Sequence, residues 1–259
     1  MFEVAEGYEE MMGRWSRQLA PLFLEFVGVQ DGEKVLDVGC GTGSLAATLA
    51  RVTCASKIIG IDPSSGLLEY ARAHVKEPHV TFDVGDAQSL PYADKSFDRT
   101  MALLVVNFIP DASTAAKEMR RVTKSGGIVA TTMWAGGRAN ELNHCLWNAA
   151  IAIDPTVKPP SARRGSYGSA EALSALLTGA GLTHIEVTEL TMPCEYSSFN
   201  ELWRRFLTGE GPGGAYVLGL KDDHREALRQ RLRHDVLHGD ADGPFSLQAK
   251  AWAVKGRVP

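Results

Sequence analysis

Three glycines alternate through Gly39-Cys40-Gly41-Thr42-Gly43, directly after the apolar run Lys34-Val35-Leu36-Asp37-Val38. A glycine turn between a buried strand and a helix lets a ligand approach the backbone, because no Cβ stands in the way. Dinucleotide enzymes use the same device, but a Gly-x-Gly-x-x-Gly loop wants its third glycine where this chain has Ser44. Asp37 points the same way. A carboxylate at the strand's end can orient a ligand's ammonium, directly or through water, and sits badly beside a pyrophosphate. A cationic ligand suits these residues better than a dinucleotide.

Such a loop needs a strand before it and a helix after it, and the chain supplies both in a repeating pattern. Strand-like apolar runs alternate with amphipathic stretches, the mark of a parallel sheet. Lys34 to Val38 reads as the first strand, followed by a helix from Ser44 to Arg51 capped by its serine. A second strand, Lys57 to Ile61, leads to a helix from Ser64 to about His74, which completes a βαβ unit. Val80 to Val84 is a third strand, Phe97 to Leu104 a fourth and Gly127 to Met133 a fifth, the last after an amphipathic helix from Ala112 to Val122. A helix from Ser169 to Thr178, a strand from Thr183 to Leu190 and a strand from Gln248 to Lys255 close the set.

With these elements in place, Val35 to Gly43 resembles the first motif of the class I S-adenosylmethionine (SAM)-dependent methyltransferases. Ile61-Asp62-Pro63-Ser64 is similar to that family's acidic second-strand end, nineteen positions beyond Gly43. A carboxylate there can accept hydrogen bonds from both ribose hydroxyls. Gly85-Asp86-Ala87-Gln88-Ser89-Leu90-Pro91-Tyr92 resembles the third motif, whose acid receives the adenine amino group. Ser96-Phe97-Asp98 through Val106-Asn107-Phe108-Ile109-Pro110-Asp111 resembles the strand-four segment of the ubiquinone and menaquinone methyltransferases. The resemblance is specific from about Lys34 to Trp134 and weaker over the arm Tyr8 to Ser16.

The resemblance implies a Rossmann-like α/β fold: a seven-stranded, mostly parallel sheet of order 3-2-1-4-5-7-6 with its last strand antiparallel, and helical insertions over the strand carboxyl ends. It also implies SAM as cofactor, S-adenosyl-L-homocysteine as product, and a contact set. That set comprises Asp37, Gly39, Cys40, Gly41, Thr42 and Gly43 from the loop, Asp62, Pro63 and Leu67 after strand two, Asp86, Ala87 and Gln88 after strand three, and Leu103 and Leu104 at strand four. In relatives an aromatic amino-terminal arm folds over the cofactor. Arg14 would then pair with the cofactor carboxylate while Tyr8 and Trp15 shield the sulfonium; ordinary packing of Trp15 is the competing reading.

One methyltransferase domain is expected over 1–259: an arm at 1–30, a SAM-binding core at 31–134, insertions at 135–168 and 196–244, and remaining core at 169–195 and 245–259. Glycine and proline pairs mark the insertions, which lie where a substrate roof belongs in such sheets. Trp147, Tyr167, Trp203 and Tyr216 in the insertions, with Asn107 and Trp134 at strand ends, are candidate acceptor contacts, set against simple lid packing. Glu141 or His144 could act as a base, but no motif fixes one, so the catalytic residue stays unassigned. His234 and His238, four apart among arginines, read as a solvated helix face rather than a metal site. No metal is expected.

The Asn/Asp-Pro-Pro-aromatic signature of amino-methylating nucleic-acid enzymes is replaced by Ala102-Leu103-Leu104-Val105, and no cysteine near strand four could attack a pyrimidine. A net charge of -4 also disfavours a sequence-independent grip on phosphates. The expected partner is a small-molecule methyl acceptor, with neither nucleic acid nor membrane bound, in a monomer or homodimer. Four scattered cysteines, an acidic start and no bilayer-length apolar run make a cytoplasmic protein the expectation. The alternative function is a SAM-binding regulator or carrier without transferase activity.

Overall fold

The computed structural model describes residues 13–136, 141–159, 167–209 and 211–259. Its sheet has seven strands in the order β3-β2-β1-β4-β5-β7-β6. These are β1 (Lys34–Val38), β2 (Lys57–Asp62), β3 (Val80–Val84), β4 (Phe97–Leu103), β5 (Thr123–Trp134), β6 (Thr183–Tyr196) and β7 (Phe245–Arg257). β1 to β5 pair in parallel and β7 runs antiparallel to β5, as the resemblance implied. Because β1 leads outward through β2 to β3 and the chain then returns to β4 beside β1, the sheet reverses direction between β1 and β4. A crevice opens at the carboxyl ends of the strands on either side of such a reversal.

The central strands read as short unbroken apolar runs because both faces of the sheet are covered. On one face lie α1 (Arg14–Val27) and α2 (Ser44–Val52), with Trp15, Leu19, Phe23, Leu45 and Leu49 buried. Elsewhere α3 (Ser65–His74) packs on β3, and α4 (Ala112–Val122) and α6 (Ala170–Gly179) bury Ala115, Met119, Leu173 and Leu177 in a core with Leu36, Phe97 and Val129.

Several boundaries differ from the sequence expectation. Ser44 is the first residue of α2 and not its cap: Gly43, at φ 84°, holds the cap position without a side-chain bond. Ser64 and Ser169 do cap their helices, accepting from the N–H groups of Leu67 and Ala172. The fourth strand stops at Leu103 because Leu104 turns into the left-handed region at φ 59°. β6 and β7 are longer than their apolar cores, since pairing along a sheet continues through residues whose side chains face solvent. Part of the arm forms α1, which ends where Gly28, at φ 71°, donates its N–H to Leu24 O.

Two compact units result. One is built from the described residues of Met1–Ala135, Ser166–Leu190 and Ala251–Pro259, the other from those of Gly136–Gly165 and Thr191–Lys250. In the second, α5 (Glu141–Ile153) and α7 (Phe199–Leu207) each pack on α9 (Asp222–Leu237), and α8 (Gly211–Gly219) packs on α7. Leu146, Ala150, Leu202, Val217, Leu228 and Leu232 form its interior. No helix among the described residues is long and apolar enough to cross a membrane.

Candidate active site

The loop between β1 and α2 turns through three left-handed glycines, with φ of 68° at Gly39, 54° at Gly41 and 84° at Gly43. A Cβ at Gly39 would also overlap Val105, the residue that follows the left-handed Leu104. Two backbone segments thus approach where only glycine fits. The loop's amides are committed inward. Gly39 and Cys40 both donate to Ile61 O, at 2.8 and 3.1 Å, and Gly43 donates to Cys40 O at 2.8 Å. Gly41 donates to Asp62 Oδ2 at 3.0 Å. A loop that spends these four donors on its own fold cannot use them to cradle a pyrophosphate.

Asp62 ends β2, is 7% exposed, and takes a second hydrogen bond at Oδ1 from Ser64 N–H, 2.9 Å away. Burial raises its pKa, and the Ser64 and Gly41 amides oppose that shift. Each oxygen accepts one protein donor, which leaves acceptor capacity at both.

Asp37 is more deeply enclosed, at 1% exposed, and neither carboxylate oxygen has a hydrogen-bond partner among the described residues. It borders a small recess with Ser16, Gly39, Cys40, Ser44 and Leu103. Burial pushes its pKa up to about 8, against the Ala46 amide and helped by the charge of Asp62. A buried carboxylate without a donor is costly unless a cation or donor joins it. Cys40, in the same recess, has its thiol pushed up by burial first and then by both carboxylates, so it remains protonated and chemically quiet.

Asp86 is exposed and held by its neighbour: Gln88 donates its N–H to Oδ1 at 2.9 Å and its side-chain amide to both oxygens at 3.1 and 3.0 Å. The Gln88 carbonyl in turn accepts from Asp111 N–H, at the start of α4. Gln88 thereby couples the segment after β3 to the segment after β4.

A cleft opens beside these groups. It brings together Gly39, Gly41, Asp62, Pro63, Leu67, Asp86, Ala87, Leu103 and Leu104 from the expected set. Asp37 and Cys40 border the adjoining recess. Thr42 and Gly43 are absent from both linings: a Cβ at Gly43 would face Phe82 and Ala71. The sequence reading missed Val105, Phe108, Ile109 and Pro110, which make an apolar wall of the cleft. Phe108 is 52% exposed, as a core phenylalanine would not be.

Tyr8 lies outside the described residues. Trp15 is 2% exposed and packs α1 in place, with the Arg14 guanidinium 3.9 Å from its ring centroid. Asn107 has a backbone task, its Oδ1 accepting from Tyr167 N–H at 2.8 Å. Tyr167 and Trp134 lie against the core as half-buried residues. In the second unit, Trp147 and Tyr216 meet with centroids 5.2 Å apart, and Trp203 is buried between Phe199 and Phe206. Glu141 accepts from Gln248 N–H. His234 lies on α9, while His238 ends it in a left-handed turn.

A family model described as a methyltransferase domain matches residues 36–131. Over 207 residues the chain is 31% identical to a malonyl-[acyl-carrier protein] O-methyltransferase of Pseudescherichia vulneris, covering 73% of this chain and 80% of that protein. The chain belongs to the class I SAM-dependent methyltransferases. This methyltransferase is also 46% identical over 110 residues to the methyltransferase GfsG of Streptomyces halstedii, covering 41% of this chain and 39% of GfsG. It spans less than half the length of several such relatives. A phosphoethanolamine N-methyltransferase of Haemonchus contortus, solved with SAM, shares the fold at a TM-score of 0.58 and 18% identity, over 98% of this chain and 57% of that one. The cofactor of the family is SAM, and the residues present fit it. Asp37 offers a carboxylate in want of a cationic donor, and Asp62 offers open acceptor positions on both oxygens.

Proposed function

We propose that this methyltransferase binds SAM in the cleft at the β1 and β4 strand ends and transfers its methyl group to a small-molecule acceptor, releasing S-adenosyl-L-homocysteine. The observation that carries the reading is the placement of Asp37 on β1 just before the glycine loop and of Asp62 at the end of β2, bonded to that loop, both buried. Asp62 would hold the ribose hydroxyls, Asp37 the ammonium, and Asp86 the adenine amine, with Leu67, Ala87 and Ile109 against apolar parts of the ligand. When bound, SAM supplies a methyl group on a positively charged sulfur, already activated for in-line displacement.

The protein's work is then to align the acceptor and exclude water. Asp62 and Asp86 are the titratable residues among those lining the cleft, and both have binding tasks in this assignment. The acceptor therefore arrives as a competent nucleophile or loses its proton to a group outside that lining. We assign acceptor contacts first to Phe108, Asn107, Trp134 and Tyr167. Trp147, Trp203 and Tyr216, outside the matched core at 36–131, are further candidates. Scattered cysteines and a net charge of -4 support a cytoplasmic enzyme that binds no nucleic acid; we take it as a monomer or homodimer.

Incubation with methyl-labelled SAM and fractionated metabolites, read by mass spectrometry, tests the reading. Label in a small product supports it. Bound SAM with no labelled product across broad extracts overturns transfer in favour of a carrier.

A further inference from the structure

Gln88 is absent from the lining of the cleft, although Asp86 and Ala87 before it are part of that lining. Its side chain is instead fixed at both ends. The Gln88 carbonyl accepts from Asp111 N–H at 3.0 Å, and a backbone amide can only donate, so the side-chain NH2 faces the other way, toward Asp86. Asp111 is itself anchored: it caps α4, with Oδ1 accepting from Thr114 N–H at 3.0 Å and Oδ2 from the Thr114 hydroxyl at 2.7 Å. The Gln88 NH2 meets both oxygens of Asp86, 3.1 Å from Oδ1 and 3.0 Å from Oδ2, and so stands between them. Gln88 N–H, 2.9 Å away, takes a second position on Oδ1. Each carboxylate oxygen has about two acceptor positions. Oδ1 is therefore filled, and Oδ2 keeps one position for a ligand donor. An exposed aspartate without such a bracket would exchange rotamers and offer either oxygen.

The geometry points to Gln88 as the residue that sets the cofactor's base selectivity, by holding Asp86 so that Oδ2 alone receives the exocyclic amine of adenine. It is a positioning residue, since it acts through Asp86 and does not line the cleft. An ionised carboxylate accepts and cannot donate, so a fixed Oδ2 receives an amine and repels a base that carries an oxygen at the same place. A swinging carboxylate discriminates less, because it can turn from that oxygen and admit water between them. Asp111 directly follows Ile109 and Pro110 of the apolar wall, so the Gln88 bracket also sets the spacing between that wall and Asp86. The inference rests on the proposed binding of SAM with its adenine at Asp86, and adds the control of that contact from outside the cleft.

The test is calorimetric titration of the full chain with S-adenosyl-L-homocysteine and with S-inosyl-L-homocysteine, which carries an oxygen in place of the adenine amine. Wild type should prefer the adenosyl compound by roughly tenfold to a hundredfold, as for a hydrogen bond to a charged acceptor. Gln88→Leu removes both ends of the bracket, and the preference should fall by about tenfold, through weaker binding of the adenosyl compound. Gln88→Glu keeps an acceptor for Asp111 N–H but sets a second carboxylate against Asp86, so a comparable fall assigns the effect to the Asp86 end. It also decides the matter if Gln88→Leu fails to fold. A merely structural role would weaken both compounds equally, so an unaltered preference in either variant overturns the proposal. A wild type that binds both compounds equally overturns it together with the Asp86 assignment, and one that binds neither overturns the cofactor reading itself.

Discussion

The backbone N–H of Gly41 donates to Asp62 Oδ2 across 3.0 Å, tying the turn after the first strand to the end of the second. The same carboxylate shapes the loop and faces the cleft, so the loop's conformation and its ligand chemistry rest on one side chain. This explains why a left-handed glycine stands where its amide must point at a carboxylate.

Gly39 and Gly28 share nearly the same backbone, φ 68° and 71°, but differ in surroundings: a Cβ at Gly39 overlaps Val105, while none at Gly28 meets anything within 4 Å. Gly28→Ala should cost about 1 kcal/mol, the strain of the left-handed region alone. Gly39→Ala should cost about 3 kcal/mol, with overpacking added, and should lower SAM affinity. Urea unfolding of the two variants checks the difference.

Asp37 makes stability depend on pH. Its folded pKa is raised to about 8, so the cofactor-free folded state holds this proton more tightly than the unfolded chain. The contribution is full below the ordinary carboxylate pKa, near 4, and is lost as pH rises through about 8. Between pH 5 and 9 the urea midpoint should fall, and Asp37→Asn should flatten the fall and exceed the wild type at pH 9 by about 2 kcal/mol or more. A flat wild-type profile would mean that water or a cation already serves the carboxylate.

Asn107 accepts from Tyr167 N–H across sixty positions of sequence. Asn107→Ala should speed hydrogen exchange at Tyr167 roughly tenfold, as expected for a lost hydrogen bond of about 1.4 kcal/mol. SAM affinity should stay as in the wild type. A loss of affinity equal to the loss of protection would place Asn107 on the cofactor instead.

The parts of the fold that could be read from sequence are those where one local rule decides. β1, β3 and α4 fall at the predicted residues because turn residues and polar positions bound their apolar runs. Asp62 and the glycine loop were readable because strand ends and left-handed turns restrict residue type. Leu104 was not: nothing in an apolar run signals that a leucine will leave the strand at positive φ. Phe108 reads as core by type, and only the cleft it borders explains its exposure.

Asp62 at the cleft is the centre of the account, and calorimetric titration of the full chain tests it most directly. SAM should bind wild type at one site, NAD should not bind, and Asp62→Ala should weaken SAM by about tenfold to a hundredfold, as for hydrogen bonds to a charged acceptor. Binding of NAD in place of SAM, or unchanged SAM affinity in Asp62→Ala, would contradict it.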